Sequence, residues 1–458
     1  MTAPEVSAET LRQAGRAPAL PFALALPTGG KLEFIRLLRL LPGKRLTGYA
    51  LCDGQPVLAK LFIGEAARRR GQREGDGLAA LSAAQLPTPT LRFAGAVGDD
   101  AYLVLCEFLD GATTLDQDTL SPLDPEPLLP VMALLGRLHA AGLTQRDPHP
   151  GNFLRHRGKV LLIDGDGIRP AASAATRMIN LAALLAQLTP DWDAHRQRLL
   201  EAYGRAVDAA ALEPLVAAAR QRRLAHFLRK TVRDCSQFAV NQTFRRFTAV
   251  LRGALPDLQP VLHDLDAAMT AGKLLKAGNT CTVAAVDIGD RTIVIKRYNL
   301  KHWRHALSRL WRPSRAWHSW RAAHRLEYYG IATPRPLALI EERCGPLRRR
   351  AFLITEHCPG PNLLTALDPG AAPPPAIQHA LRHLFATLCR FHTTHGDLKA
   401  TNLLWHDGKI LLIDLDALTT HCSPSTFTRA WQRDRARLMR NWPLESALAR
   451  WLREALPG

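Results

Sequence analysis

The sequence has few cysteines, few aromatic residues and no long hydrophobic run. Its 8 cysteines are scattered over 458 residues, and no two of them form a Cys-x-x-Cys pair. This spacing argues against a disulfide framework and against a zinc site, so we expect reduced, mostly buried thiols. The longest apolar runs, such as LAALLAQL from Leu181, are far shorter than the roughly 20 residues that cross a bilayer. No transmembrane helix is therefore predicted.

Acidic residues are scarce relative to basic ones. The chain has 60 Lys and Arg against 41 Asp and Glu, which gives a formal net charge of +19. Such an excess indicates an anionic partner, and the candidates are nucleic acid, a phosphorylated glycan and an acidic membrane face. An arginine-rich composition that serves solubility alone explains the charge equally well.

A secretory signal is also missing from the start of the sequence. The segment MTAPEVSAET is polar and has no basic region ahead of an apolar one. We therefore expect a cytoplasmic protein, with peripheral binding to the anionic face of the inner membrane as an option.

What the sequence does contain is one motif twice. Residues 145–167 read QRDPHPGNFLRHRGKVLLIDGDG, and residues 395–417 read HGDLKATNLLWHDGKILLIDLDA. In both segments an Asp is followed by an Asn, and a second Asp follows at the end of an apolar run. The two sets have the same spacing: Asp147, Asn152 and Asp164 in the first, Asp397, Asn402 and Asp414 in the second.

The order of elements before the motif is repeated as well. GQPVLAKLF ends a strand-like run with Lys60, and DRTIVIKRYN carries Lys296. A helical stretch, a proline-containing break and a second strand follow each lysine. A repeat of about 240 residues is too long for a solenoid unit, so it indicates two copies of one domain.

The residue types of the motif suit magnesium and phosphate. Asp and Asn are hard oxygen donors, and Mg²⁺ prefers oxygen ligands and shares its coordination shell with substrate phosphates. A Lys on a separate strand can bind these phosphates, and an acid on the next helix can hold that Lys in place. The order Lys, Glu, Asp-x4-Asn and Asp is typical of protein kinases. Core strands that end in an Asp turn would explain one such motif, but not two with equal spacing.

We therefore predict an α+β fold with two tandem bilobal protein-kinase-like domains. Each domain is expected to have a small β-rich N-lobe and a mainly helical C-lobe. The predicted organisation is a flexible arm over residues 1–30, a first domain over 31–225 and a second domain over 226–458.

The second half of the sequence resembles the lipopolysaccharide core kinases, which phosphorylate heptose or Kdo sugars. The resemblance covers about residues 225–440 and rests on LLKAGNTCTVAAV, TIVIKRYNLKHW, SRAWHSWRAAHRLEYYGIATPRPLALIE, HGDLKATNLL and LLIDLDAL. The first half is similar but looser, and its DPHPGN also resembles aminoglycoside phosphotransferases. The resemblance implies ATP and Mg²⁺ as cofactors, and phosphoryl transfer to a hydroxyl of the core oligosaccharide of lipopolysaccharide.

The resemblance also implies roles for residues of the second copy. Asp397 would accept or orient the proton of the acceptor hydroxyl, and Lys399 would contact the transferring phosphate. Lys296 would bind the α- and β-phosphates, while Asn402 and Asp414 would bind Mg²⁺. The remaining nucleotide positions are Gly278, in a loop over the phosphates, and Glu356, at the hinge that meets adenine.

The first copy offers a matching set, and both copies depart from the family pattern. Ser319 stands where the first copy has Glu74, and Gln145 stands where a His usually supports the catalytic loop. His149 replaces the Lys399 equivalent. We therefore favour activity in the second copy and leave the first open. The matching residues are Asp147 for the acceptor, Asn152 and Asp164 for the metal, and Lys60, Glu74, Gly43 and Glu107 for the nucleotide.

In each motif one further acidic residue lies two positions after the second Asp. Asp166 and Asp416 fit a turn, in which the side chain caps backbone donors, at least as well as they fit a catalytic role.

A basic aromatic stretch, KRYNLKHWRHALSRLWRPSRAWHSWRAAHR, follows Lys296. Its second part places Trp317, Trp320 and His324 near one helical face, which we expect to pack on a core while the arginines point outward. These arginines could hold phosphates of a glycolipid or of a membrane surface, or could simply be solvated. The first part contributes Trp303 and Trp311.

Three functions follow from these observations. The first is an ATP-dependent kinase for the inner-core heptose or Kdo of lipopolysaccharide. The second is a pseudokinase scaffold that binds nucleotide or anionic glycolipid, which the departures in both copies favour. The third is a phosphotransferase for a small alcohol or aminoglycoside, against which the net charge argues. No base-reading motif is present, so a nucleic-acid partner is not expected.

Overall fold

A computed structural model of the chain describes residues 3–27, 29–98, 100–115, 120–121, 124–171, 173–278, 280–299, 313–345 and 347–457. The chain divides into two compact units, Met1–Gln221 and Arg222–Gly458. The division falls inside the helix Ala209–Lys230. The limits of 31–225 and 226–458 remain predictions for the functional domains.

The first unit begins with a six-stranded antiparallel sheet. On the strand Gln55–Ile63, Val57, Ala59 and Leu61 are buried on one face. Because side chains alternate along a strand, Lys60 lies on the opposite face. That face is the side of the core that Phe62 forms with the helices of this unit. In spatial order the strands are Phe22–Ala25, Lys31–Leu41, Arg45–Cys52, Gln55–Ile63, Ala101–Glu107 and Leu91–Ala96.

One helix covers the Lys60 face of this sheet. The helix Ala67–Ala83 packs directly on the turn Gly165–Gly167, since a Cβ at Gly77 would lie 2.0 Å from the carbonyl oxygen of Gly165. Glycine is therefore needed there for close approach of the two backbones. This contact brings Glu74, which is fully buried, toward Lys60.

The rest of the first unit is mainly helical, with short strands around the repeated motif. Its largest core packs the helices against one another and against Phe62 of the sheet. The helices of this part are Leu129–Ala140, Ala174–Leu185, Arg196–Tyr203 and Ala209–Lys230. The short strands are Thr113–Thr114, Leu143–Gln145, Phe153–His156, Lys159–Leu162 and Ile168–Pro170.

The N-terminal segment differs from the flexible arm that its composition predicts. Phe22–Ala25 forms the first strand of the sheet and pairs with Lys31–Leu41, and a short helix, Ala8–Gln13, precedes it. Phe22 is buried and stacks on Phe34, with 4.8 Å between ring centroids. The larger apolar side chains of PFALAL alternate in the strand period, but they are few and stand in an Ala- and Pro-rich background.

The second unit begins with a seven-stranded antiparallel sheet. The strand Arg291–Tyr298 buries Ile293 and Ile295 in one core, and alternation places Lys296 and Tyr298 on the other face. In spatial order the strands are Phe238–Gln242, Arg246–Leu251, Pro336–Cys344, Leu347–Glu356, Arg291–Tyr298, Cys281–Ile288 and Lys273–Lys276. Two helices, Leu255–His263 and Leu265–Ala271, precede the strand Lys273–Lys276.

The helix Arg315–Tyr328 covers the Lys296 face, as Ala67–Ala83 does in the first unit. Ser314 caps it by accepting a hydrogen bond from the backbone N–H of Trp317. Trp320 and His324 are buried, whereas Trp317 is only half-buried. The mainly helical part that follows contains Leu363–Ala366, Pro375–Arg390, Pro424–Met439 and Ala447–Ala455, with short strands Thr393–Thr394, Leu403–His406, Lys409–Leu412 and Thr419–Thr420.

The mixed helix and strand content agrees with the predicted fold class. In the part of the chain that the structure describes, no helix combines the length and the apolar composition needed to span a bilayer.

Candidate active site

Lys296 is held by two carboxylates at the end of the repeated motif. Its Nζ donates to Asp414 Oδ1 at 2.5 Å and to Asp416 Oδ1 at 3.0 Å. Burial lowers the pKa of Lys296, but the neighbouring Tyr298, Asp416 and Asp414 outweigh burial and raise it above its ordinary value. The ammonium is therefore charged at neutral pH and is fixed in position.

Asp416 is the centre of this network rather than a simple turn residue. Its Oδ1 also accepts from Tyr298 Oη at 2.7 Å and from Ser319 Oγ at 2.8 Å. Its Oδ2 accepts from Arg315 Nη2 at 2.5 Å. Burial raises the pKa of Asp416, but the charge of Lys296 and these hydrogen bonds hold it below its usual range.

Asp414 has a backbone conformation that is uncommon outside glycine. Its φ is +60°, in the left-handed region, directly after the strand Lys409–Leu412 and Ile413. Asp is among the residues that tolerate this region best. The turn presents the carboxylate to Lys296 instead of continuing the strand.

The loop that carries Asp397 is fixed by a buried histidine. His395 Nδ1 accepts from the backbone N–H of Asp397 at 3.3 Å, so Nε2 carries the hydrogen and donates to the carbonyl of Ile413 at 2.8 Å. Asp434 accepts from the N–H groups of His395 and Gly396 at 2.7 and 3.0 Å. The histidine thereby ties the Asp397 loop to the residue before Asp414.

Asn402 completes the loop. Its Nδ2 donates to the carbonyl of Asp397 at 2.9 Å, and its own carbonyl accepts from the N–H of Ile413 at 3.0 Å. Because the amide nitrogen is used internally, the side-chain oxygen is the atom that Asn402 can offer to a cation.

The carboxylate of Asp397 is paired with two cations. Lys399 Nζ lies 3.0 Å from Oδ1 and 3.1 Å from Oδ2, and Arg437 Nη1 pairs with Oδ1. Burial raises the pKa of Asp397, but the hydrogen bonds and charges of Lys399 and Arg437 lower it below its ordinary value. Arg437 comes from the helix Pro424–Met439 and was not among the residues that the motif indicated.

A cavity of about 490 Å³ in the second unit brings together some of these groups, but Asp397 and Lys399 are not among its lining residues. It is lined by Lys296, Asn402 and Asp414, with Glu356 at the end of a strand on the same wall. Apolar side chains from the sheet and from the helical part form much of the rest of the lining, as is usual in small-molecule pockets. Other lining residues include Lys276, Val283, Val294, Leu353, His357, Leu404 and Ile413.

Two residues of this cavity fit a magnesium ion. Asn402 and Asp414 line one cavity and supply a carboxamide and a carboxylate oxygen, which are hard donors of the type that Mg²⁺ binds. Two protein ligands are enough, because Mg²⁺ completes its shell with water and phosphate oxygens. Among the described residues, no group of three or more His, Cys, Asp or Glu is arranged to hold a metal.

In the first unit the lysine is held in a different way. Lys60 Nζ pairs with Glu74 Oε1 and donates to the carbonyl of Ile163 at 2.8 Å. Glu74 also accepts from the N–H groups of Gly165 and Asp166 at 3.3 and 2.9 Å. Burial lowers the pKa of Lys60, but the charges of Glu74 and Asp164 raise it above its usual value.

The surroundings of Asp164 disfavour its ionised form. Burial first, and the charge of Glu74 second, raise its pKa to about 6. Two carboxylates therefore share the charge of one lysine, and Glu74 is the more strongly bound. Burial raises the pKa of Glu74, but Lys60 lowers it to a value below the ordinary one.

The catalytic-loop equivalent of the first unit is built on a glutamine. Gln145 Nε2 donates to the carbonyl of Asp164 at 2.7 Å, and Gln145 Oε1 accepts from the N–H of Asp147 at 3.5 Å. Gln145 thus makes both contacts that His395 makes in the second unit, shifted by one residue at the carbonyl. Asn152 Nδ2 donates to the carbonyl of Asp147 at 2.9 Å, as Asn402 does to Asp397.

The glycines and glutamates that the sequence predicts for the nucleotide lie at or near turns and at strand ends in both units. Gly43 has φ +64° in the turn between two strands, and a Cβ at Gly48 would lie 2.5 Å from the carbonyl oxygen of Arg36. Gly278 is near the turn between two strands but does not line the cavity, where Lys276 does. Glu107 and Glu356 each end a strand and pair in register with Val57 and Ile293, respectively.

Part of the second unit is similar to a known protein family. Residues 273–451 match the model of the lipopolysaccharide kinase (Kdo/WaaP) family. The resemblance to this family is confirmed for the second unit. No curated protein matches the chain.

The solved structures that are similar to parts of this chain share little sequence with it. "WaaP in complex with acyl carrier protein" is 21% identical, with a TM-score of 0.32, and the match covers 41% of this chain and 88% of that chain. "Structure of vaccinia related kinase 3" is 16% identical, with a TM-score of 0.27, and the match covers 36% of this chain and 57% of that chain.

Several residues around the motif of the second unit are not predicted by the sequence. Asp416 was given a turn as its simplest role, and its network with Lys296 depends on side chains from two other elements. Glu327, the acidic residue of the helix Arg315–Tyr328, contacts His324 Nδ1 at 2.9 Å rather than Lys296. The sequence carries no signal that singles out Asp416, because the first copy has Asp166 at the same place and has Glu74 as well. Trp303 and Trp311 of the basic aromatic stretch lie outside the described residues.

Proposed function

We propose that the second unit is an ATP-dependent kinase that phosphorylates a hydroxyl of the inner-core heptose or Kdo of lipopolysaccharide. The observation that carries the proposal is the convergence of Lys296, Asn402 and Asp414 on one cavity, within the residues that match the family. Asp397 is linked to that cavity through Asn402.

In this proposal Lys296 binds the α- and β-phosphates of ATP as a fixed positive charge. Asp416 orients it through the 3.0 Å contact and replaces the helix acid that Ser319 cannot provide. Glu356 ends the strand from which backbone groups contact adenine. Gly278 belongs to the neighbouring strand–turn–strand segment that covers the phosphates.

Asn402 and Asp414 would hold the Mg²⁺ that accompanies ATP. When bound, the ion neutralises negative charge on the phosphate oxygens. Asp414 would hold the metal in place of Lys296, and Asp416 would keep the lysine. The presence of two carboxylates at Lys296 allows this exchange without leaving the ammonium unpaired.

Asp397 accepts the proton of the acceptor hydroxyl in the proposed transfer. The acceptor oxygen forms a bond to the γ-phosphorus, the bond from that phosphorus to the β–γ bridging oxygen breaks, and ADP leaves with the electron pair. Lys399, beside Asp397, stabilises the transferring phosphate. The phosphorylated sugar and a proton on Asp397 are the products at the site.

The decisive experiment is transfer of ³²P from ATP to lipopolysaccharide that has an unphosphorylated core. Asp397→Asn is expected to lower the rate by about 10²–10⁴-fold, because it removes the general base. Asp147→Asn, at the matched position of the first unit, is the control and is expected to retain activity. Equal rates for wild type and Asp397→Asn would refute the proposal.

A second candidate concerns the first unit, for which we propose nucleotide binding. The buried pair of Lys60 and Glu74 supports it. Glu74 keeps Lys60 charged and holds it in one orientation, which a lysine that binds phosphate needs. Asn152 and Asp164 would be its metal ligands and Asp147 its acceptor-side residue. Loss of ATP binding in a Lys296→Met variant, with no binding left for the first unit, would refute this candidate.

A further inference from the structure

The exposed face of the helix Pro424–Met439 is basic. Arg429, Arg433 and Arg437 follow one another at four-residue steps, and Arg440, the C-cap residue, follows three positions later. Residues at three- and four-residue steps lie on one side of a helix. The four arginines, all exposed, are called the basic stripe below.

The helix offers no acid to neutralise this stripe from its own exposed face. Its single acidic residue, Asp434, is buried and accepts hydrogen bonds from the N–H groups of His395 and Gly396. The stripe extends over about 16 Å, since a helix rises 1.5 Å per residue. This length suits an extended ligand with several negative groups rather than one ion.

One end of the stripe contacts the proposed reacting centre. Arg437 pairs with Asp397, and it also donates to the carbonyl of Gly396 at 3.4 Å. With Lys399 on the same carboxylate, both oxygens of Asp397 are engaged by cations. An acceptor hydroxyl must displace one of these contacts to reach Asp397, and Arg437 then needs another anion.

The first unit lacks this arrangement. The corresponding helix, Ala174–Leu185, has Arg177 as its one basic residue and exposes the apolar side chain of Ile179. His149, which replaces Lys399, accepts a hydrogen bond from the N–H of Gly151. The basic stripe is therefore a feature of the second unit and not of the fold that the two units share.

We propose that the basic stripe is the subsite that binds the carboxylate and phosphate groups of the acceptor, and that Arg437 exchanges Asp397 for one of these groups when the acceptor enters. This inference rests on the proposed function of the second unit and assigns it an acceptor-selecting surface. An acceptor without negative groups would leave Arg437 on Asp397 and would be phosphorylated poorly. A membrane-binding face would gain nothing from direct contact with the reacting carboxylate, so we favour the acceptor over lipid headgroups.

Binding of the deacylated, unphosphorylated core oligosaccharide tests the stripe directly. Isothermal titration calorimetry would compare the wild-type chain with an Arg429→Gln/Arg433→Gln variant. The variant is expected to raise Kd about fivefold, since two exposed charge contacts are lost. Arg349→Gln, which removes an exposed arginine from a strand of the sheet, is the matched control and is expected to leave Kd unchanged.

The same oligosaccharide with its carboxyl groups reduced to alcohols provides the chemical control. It should bind the wild-type chain and the double variant equally. The proposal would be overturned by an unchanged Kd for the acidic oligosaccharide in the double variant. It would also be overturned if that variant lost only its affinity for phosphatidylglycerol vesicles, which would identify a membrane surface.

Kinetics separate the role of Arg437 from a structural one. Arg437→Gln removes a cation from Asp397, so the acid limb of the kcat/KM profile is expected to move to higher pH while KM for the acceptor rises. An unmoved limb would overturn the exchange between Arg437 and Asp397. If the wild-type chain transfers no phosphate at all, the proposed function fails, whereas the calorimetric result still decides whether the stripe binds acidic oligosaccharide.

Discussion

The two units hold their lysines with carboxylates that come from different places in the chain. In the first unit Glu74, on the helix over the sheet, pairs with Lys60, while Asp166 pairs with Arg73 at 2.9 Å. In the second unit the helix supplies Ser319, and Asp416 in the turn pairs with Lys296. A buried ammonium is neutralised in both units. The carboxylate comes from the covering helix in the first unit and from the turn at the end of the motif in the second.

The supporting loops show a similar exchange. His395 and Gln145 both link the loop N–H to a backbone carbonyl at the end of the motif. His395 contacts the carbonyl of Ile413, before the last motif Asp, and Gln145 contacts the carbonyl of that Asp itself, Asp164. Asp434 accepts from the backbone N–H of His395 at 2.7 Å, and Asn180 accepts from the backbone N–H of Gln145 at 3.4 Å. The contact geometry is retained while the residue types differ, because one donor and one acceptor at the right distance are sufficient.

The largest expected effect is on the stability of the first unit. Glu74→Gln removes the negative partner of a buried lysine, and such losses cost about 3–5 kcal/mol. Hydrogen exchange measured by mass spectrometry should show faster exchange in peptides that cover Gln55–Ile63, with the second unit unchanged. Glu126→Gln, which breaks an exposed pair with Arg198, should change little. Slow exchange in Glu74→Gln would mean that Asp164 replaces Glu74 completely.

The next effect would sharpen the difference between the two lysine sites. Asp416→Asn should lower phosphoryl transfer by about 10–100-fold, because the orienting charge beside Lys296 is lost while Asp414 remains. Adding Ser319→Glu places the acid where the first unit has it and should restore part of the rate. No recovery in the double variant, together with a normal fold by circular dichroism, would show that the two arrangements are not interchangeable.

A pH effect should distinguish the units. The pKa of Asp164 is raised in the folded state to about 6, so its ionisation weakens folding as pH rises from about 4 to about 6. Asp164→Asn should therefore stabilise the first unit at pH 7 by about 2 kcal/mol and have little effect at pH 4. Asp416, whose pKa is lowered, contributes stability that is lost as pH falls below the usual range of Asp. Urea unfolding at both pH values would measure the difference, and equal effects at both would contradict it.

The smallest effect concerns the loop support. His395→Gln should cost less than about 1 kcal/mol, because Gln145 makes the equivalent donor and acceptor contacts in the first unit. His395→Ala removes both contacts in a buried position and should cost about 1–3 kcal/mol. Thermal unfolding of the two variants provides the measurement. A Gln variant as unstable as the Ala variant would show that the ring itself is required.

Part of the site could be predicted because it is local. Asp397 and Asn402 are five residues apart, and a loop of fixed length brings the Asn402 amide to the Asp397 carbonyl. Lys296 could be placed on its strand by the apolar alternation around it. Asp416 and Arg437 could not be assigned, because their partners are far away in sequence and nothing in their own neighbourhood distinguishes them from turn and surface residues.

The fold was predictable to a similar extent. The strand Gln55–Ile63 is readable from the short apolar run that contains Lys60, whereas the strand Phe22–Ala25 exists because Lys31–Leu41 offers it an edge to pair with. Its few apolar side chains could not indicate that edge.

By itself the sequence determined the repeated order of strand lysine, loop Asp and Asn, and strand-end Asp, because each depends on spacing along the backbone. Only the tertiary structure decided which carboxylate neutralises each lysine and which cations reach Asp397. Those choices depend on distances between separate elements, and Coulomb energies and desolvation change steeply over the few ångströms that packing controls.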